Sequence, residues 1–249
     1  MRPTRIRDKK MELFDRAKTI LFKPKEEWTI IEAENAPHAK VFTGYLLILA
    51  LIPAVAIFVQ EWWTWHSFYT EYLGKLGELN PDVVSKAKEL YPFNTKWSII
   101  HAACPFVAIV GGAYIAAAAI NALSNQFGSE KDFNRAFALA AYSFTPLCIA
   151  GILYISSSLA WLVPYAGLYG VYLLYLGAVP QLKPADDKKT SCFMISIIVV
   201  LAAWMILEKA VIPEVIKQVK IAEVKAAYKK ASGGQDIDYK DIEKYIRKY

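Results

Sequence analysis

Formal charge is missing from four long stretches of this chain, and that pattern restricts what it can fold into more than any other feature. No Asp, Glu, Lys or Arg occurs in the 20 residues between Lys40 and Glu61, the 33 between Lys96 and Glu130, the 47 between Arg135 and Lys183, or the 18 from Thr190 to Leu207. A bilayer core about 30 Å thick takes roughly 20 helical residues at about 1.5 Å each, so the longest run crosses twice and five spans are expected. A soluble helical protein would instead carry charges along one face of most of its helices. With 55% hydrophobic residues and only 21% charged ones, the expected fold class is all-α. It is a polytopic membrane protein with five transmembrane helices plus interfacial or soluble helices at both ends.

Three regions follow. Residues 1–40 hold ten Lys or Arg and seven Asp or Glu, with no apolar core of the kind a cleavable secretory signal has, so span one is expected to direct insertion. Within this region Leu13, Phe14, Ala17, Ile20 and Leu21 share one helical stripe, with Glu12, Asp15, Arg16 and Lys18 off it, until Pro24 stops the pattern. This predicts a short amphipathic helix in the membrane interface. Residues 41–207 form the five-span domain: about Val41 to Gln60, kinked near Pro53; Trp97 to Phe127, interrupted at Pro105; a hairpin of Ala136 to Ala160 and Leu162 to Leu182 turning at Trp161 and Pro164; and Thr190 to Leu207. Residues 208–249 form a Lys-rich tail that reads as helix, a Ser232-Gly233-Gly234 break, and helix. A further short helix is expected at Asp82 to Leu90, in the segment joining spans one and two.

Alternation of the spans puts Trp62, Trp63, Trp65, Trp97, Trp161 and Trp204 at one interface and leaves only Trp28 on the side of the N-terminus. Tryptophan favours the headgroup layer, and a miscounted span would scatter the set. The ten basic residues before span one place the N-terminus in the cytoplasm. The absence of any Asn-x-Ser/Thr sequon fits a prokaryotic cytoplasmic (inner) membrane. The net charge of +6 is split between the two ends and interleaved with acids, which points to anionic lipid headgroups rather than nucleic acid.

No catalytic, cofactor-binding or metal-binding residue is singled out, no cofactor is expected, and the chain is read as a non-enzyme. Cys104, Cys148 and Cys192 lie in or at the rim of spans and offer no disulfide framework or thiolate metal site. His101 has no His or carboxylate at i+3 or i+4, and a lone His near an interface is more often structural. Ser156, Ser157 and Ser158, read inside span three, have no His or acid partner in that span, and serines readily bond their own helix. Gly111 and Gly112 lack the Lys-Ser/Thr of a phosphate loop. They head a run of small residues, with Ala113, Ala116 and Ala119, that permits close helix packing and a homo-oligomer. Asn121, Asn125 and Gln126 give span two a polar end suited to hydrogen bonds between helices. On span four Tyr165, Tyr169 and Tyr172 share one face, and Ala166, Gly170 and Gly177 another. No ionisable residue of the Asp, Glu, Lys or Arg type falls in mid-membrane, where coupled transport usually needs one.

Three segments carry a resemblance. They are RAKTILFKPKEEWTIIEAE from Arg16 to Glu34 with TGYLL from Thr43, AAYSFTP from Ala140 to Pro146, and GLYGVYLLYLGAVPQLKP from Gly167 to Pro184. Together they resemble prokaryotic members of the Ypt-interacting (YIP) membrane-protein family over about Arg16 to Leu207. The resemblance implies a cytosolic N-terminus and a compact five-helix membrane domain. Eukaryotic relatives bind prenylated small GTPases, but their Asp-Leu-Tyr-Gly-Pro signature does not occur here and that role is not carried over. The matched positions Tyr142, Pro146, Tyr169, Gly170 and Pro180 are read as packing and kinks. The resulting expectation is a non-enzymatic membrane protein that organises or binds other membrane components, with a small-solute transporter or channel as the alternative.

Overall fold

The computed structural model describes residues 13–67 and 95–206, with isolated positions beyond. The helix expected at Asp82 to Leu90 and most of the 208–249 tail fall outside the described residues. Every described regular element is helical. Chain contacts divide the molecule into residues 1–203 and 204–249, and the account below concerns the first unit.

Four described helical stretches are long and apolar enough to cross a membrane: His38–Ser67, Thr95–Phe127, Phe133–Ile155 and Ala160–Leu182. They are spans one to four. The fifth expected span coincides with an 18-residue helix, Lys189–Ile206, which is not among those four. Before span one come α1, Leu13–Phe22, and α2, Pro24–Glu34. The first helix ends at Phe22, as expected, and Pro24 also opens a second one, because its missing N–H costs nothing at a first helical position. The buried pair across this turn, Arg16 with Glu27, folds α1 back on α2.

The expected apolar stripe of α1 needs correction. Ala17 and Ile20 are buried as expected, but Phe14, placed on the stripe, is 78% exposed, and Arg16, placed off it, is only 6% exposed. A charged group 11 residues away in the chain recruits Arg16 inward, and periodicity within one helix does not report that.

Spans one and two are each continuous through their prolines. Span one opens with a π-helical turn, Phe42–Leu46, and Pro53 lies inside it with Gly151 of span three close by, where a Cβ would sit 2.6 Å from the Pro53 Cβ. Span two buries Gly112, Ala113, Ala116 and Ala117, the small-residue run, while Ile115 is exposed. Its end is closed by Gly128 in the left-handed region at φ 70°.

Span three starts at Phe133, where Asp132 accepts hydrogen bonds from the backbone N–H of Asn134 and Arg135 at 2.9 and 3.2 Å. Such an acidic cap satisfies donors that have no partner within the helix. The α-helix then breaks at Phe144. Pro146 has no N–H to give to the Tyr142 carbonyl four residues back, and the Thr145 hydroxyl donates to that carbonyl instead, at 2.7 Å. After Thr145–Ala150 the chain tightens into a 3-10 turn, Gly151–Ile155. The turn between spans three and four therefore lies at 156–159, earlier than the expected Trp161 and Pro164, and Ser156 to Ser158 stand in the turn rather than within span three.

The ends of the bundle sort as the alternation requires. At one end Lys183 pairs with Glu32 at 2.8 Å, the Ala185 N–H reaches the Phe127 carbonyl at 2.9 Å, and the His38 N–H reaches Asn134 at 2.8 Å. At the other, Gln60 donates to Ser157 at 3.1 Å and His101 meets Glu61.

Candidate functional site

The polar chemistry of the described residues concentrates where α1 and α2 meet spans three and four. Arg16 sits at its centre, with Nη1 2.8 Å from Glu27 Oε1 and Nη2 2.5 Å from Glu34 Oε1. Glu27 is 0% exposed. Its second carboxylate oxygen and the Trp28 indole N–H find no hydrogen-bond partner among the described residues. A buried charge survives only when paired, which makes this one guanidinium between two carboxylates a costly arrangement. Burial works against the Arg16 charge, but Tyr142, Glu34 and Glu27 together outweigh it and hold the guanidinium above its ordinary value. Burial raises the Glu27 carboxyl above the ordinary carboxylate range, with Arg16 opposing the rise.

An aromatic relay joins this ion cluster to the spans. The Arg16 guanidinium lies 5.8 Å from the centre of the Tyr142 ring, within cation–π reach. Trp28 meets the same ring edge-on at 6.1 Å, and Tyr45 tilts against it at 4.6 Å. The Tyr45 hydroxyl is 2.7 Å from that of Thr145. Since Thr145 gives its single proton to the Tyr142 carbonyl, Tyr45 is the donor between them. The π-helical turn of span one and the proline break of span three thus supply the two hydroxyls that meet there.

Glycines let the hairpin approach. A Cβ on Gly177 would lie 2.5 Å from the Trp28 indole and 2.8 Å from a Leu139 methyl. On Gly170 it would lie 2.7 Å from the Ser143 carbonyl oxygen. The Tyr169 hydroxyl donates to the Leu21 carbonyl at 2.5 Å. The three segments that carry the family resemblance therefore converge: Arg16, Glu27, Trp28 and Glu34 from the first, Tyr142 and Thr145 from the second, Tyr169, Gly170, Gly177 and Lys183 from the third.

A family model for the Yip1 domain matches residues 18–207. The chain belongs to the Yip1 family. It is a multi-pass membrane protein, and the site above lies at contacts among the segments of its Yip1 domain and the α1 helix that leads into it. No curated protein and no solved structure matches the chain.

The residues weighed from sequence fall elsewhere. His101 has a carboxylate partner from another helix, Glu61 at 2.8 Å, beyond the i+3 and i+4 positions that its own helix offers. Ser157 accepts from Gln60. Asn125 and the tyrosines Tyr165, Tyr169 and Tyr172 lie on the outer surface. Cys104, Cys148 and Cys192 are free thiols, and no cluster of three metal-ligating side chains occurs among the described residues. Arg16, Glu27 and Glu34 were missed. A signal existed in the i, i+4, i+7 placement of Glu27, Ile31 and Glu34 beside Trp28, which puts two acids on the apolar face, Glu27 buried and Glu34 at its exposed end.

Proposed function

We propose that this Yip1-domain protein is non-enzymatic and works by organising or binding other components of a prokaryotic cytoplasmic membrane. Its N-terminus is cytoplasmic, the Lys189–Ile206 helix is a fifth span, and anionic headgroups contact its basic N-terminal side. The observation that carries the reading is the Arg16–Glu27–Glu34 cluster, which ties α1 to α2, with Arg16 and Trp28 set against Tyr142 of span three. It stands at a packed contact, where an assembly surface is held in shape. The outward Tyr165 and Tyr172 of span four add a surface suited to neighbouring helices. The Yip1 family is not known as a family of enzymes.

The transporter alternative asks for a polar path. One groove of about 330 Å³ among the described residues is lined by apolar side chains including Leu51, Val55, Phe58, Ile99 and Phe106, a surface fit for acyl chains, and Asn125 faces outward. Crosslinking in intact membranes followed by mass spectrometry tests the proposal. Reproducible crosslinks from span two or span four to the same membrane proteins, or to a second copy, are expected. Their absence, together with solute flux in proteoliposomes, would overturn it.

A further inference from the structure

The contacts of α2 with span four measure how far the N-terminal hairpin descends. Glu32 pairs with Lys183 at the rim, Trp28 packs on Gly177 six residues along, and the Leu21 carbonyl is held by Tyr169, thirteen positions before the end of span four at Leu182. At about 1.5 Å per residue, Tyr169 lies roughly 20 Å from that end. Span three agrees, because Arg16 stands over Tyr142, nine residues past Phe133 and so about 14 Å along the helix. The α-helix of span four has 20 residues, Val163–Leu182, about 30 Å and the full thickness of a bilayer core. It has no length to spare for standing clear of the membrane. Its rim-proximal Tyr175 and Val179 are exposed apolar side chains, as lipid contact demands.

We infer that α1 and α2 form a re-entrant hairpin that enters the bilayer beside spans three and four, to about its midplane, and meets the acyl chains. The expectation of a helix lying on the surface is thereby replaced by one of insertion. Phe22, at the tip, is 77% exposed, and Phe14 and Ile30 are exposed on the same hairpin; the Leu21 carbonyl beside Phe22 is held by Tyr169 of span four, whose Leu168 and Tyr172 are also exposed. Bilayer is the partner that fits, since this outer surface is continuous with the lipid-facing surface of an established span. Irregular backbone at membrane depth is tolerated where protein satisfies it, and the Lys23 N–H reaches the Thr19 carbonyl at 2.7 Å while Tyr169 takes the carbonyl of Leu21. The inference rests on the membrane embedding of the spans and is independent of the organising role.

A nitroxide at Phe22→Cys, in full-length protein whose three native cysteines are replaced, reports its depth by collision with oxygen and with a water-soluble nickel chelate. Liposomes of phosphatidylcholine with phosphatidylglycerol supply the bilayer. Labels at Leu168→Cys, in span four, and Asp187→Cys, in the exposed loop, give the two reference values. A Phe22 label that favours oxygen over the chelate several-fold, as the Leu168 label does, is the expected result. Chelate access equal to that of the Asp187 label would mean that the hairpin lies in water or headgroups, and overturns the inference. Ile30→Cys supplies the same reading from α2 if the Phe22 variant does not fold.

Discussion

The Arg16 guanidinium and the Glu27 carboxylate face each other at 2.8 Å, with Glu27 wholly shielded from solvent. Removing one member leaves the other charged and buried. Arg16→Met is therefore expected to lower the unfolding free energy in detergent by about 3–5 kcal/mol. The double variant Arg16→Met, Glu27→Leu removes both charges and is expected to recover most of that loss, because Glu34 is part-exposed and can return to water. A double variant no more stable than Arg16→Met would show that the pair does not act as a unit.

The raised position of the Glu27 carboxyl sets a direction for pH. Between the ordinary carboxylate range and the raised value, the folded chain keeps a proton that the unfolded chain releases. Glu27 thus contributes stability in full below its unfolded value, and that contribution is lost as pH rises through the folded one. Thermal midpoints taken across this window should fall more steeply with pH in the wild type than in Glu27→Gln. Parallel slopes in the two proteins would remove Glu27 from the account.

Packing of the hairpin depends on absent side chains. Gly177→Ala drives a methyl into the Trp28 ring, and Gly170→Ala drives one against the Ser143 backbone, which cannot move aside. Each should cost about 1–3 kcal/mol, as overpacking does. Gly167, on the same helix, has open space at its Cβ, and Gly167→Ala should be neutral or stabilising by up to about 1 kcal/mol. Equal effects at all three positions would mean that helix propensity decides the outcome instead of contact.

These sites mark how far the sequence is legible. The spans are readable because a missing charge is a property of each residue taken alone, and four of the five expected stretches meet the length and hydropathy of a span. The proline break in span three is readable at Pro146, but its resolution through Thr145 and Tyr45 needs a contact spanning 100 positions. Arg16 looked solvated because a single-helix pattern cannot show that α2 supplies two carboxylates across a tight turn. Glu61 escaped notice as a partner of His101 for the same reason, since it comes from another span. What a residue avoids is local information, whereas what it pairs with is not.

The His101–Glu61 pair gives the last prediction, and it separates the organiser from the transporter. The two side chains are 47% and 26% exposed, so water screens their attraction and the pair is worth about 0–1 kcal/mol. His101→Gln should accordingly leave stability within about 1 kcal/mol of wild type. His101 also lies only six residues into span two from Thr95, about 9 Å along the helix and far from a midplane relay. Proteoliposomes loaded with a pH-sensitive dye should show no solute-dependent proton movement for wild type, and none for His101→Gln. Proton movement in the wild type that His101→Gln abolishes would assign the pair to a coupled pathway. It would then place the working chemistry at the end of the bundle opposite the Arg16 cluster, and the organising role would fall.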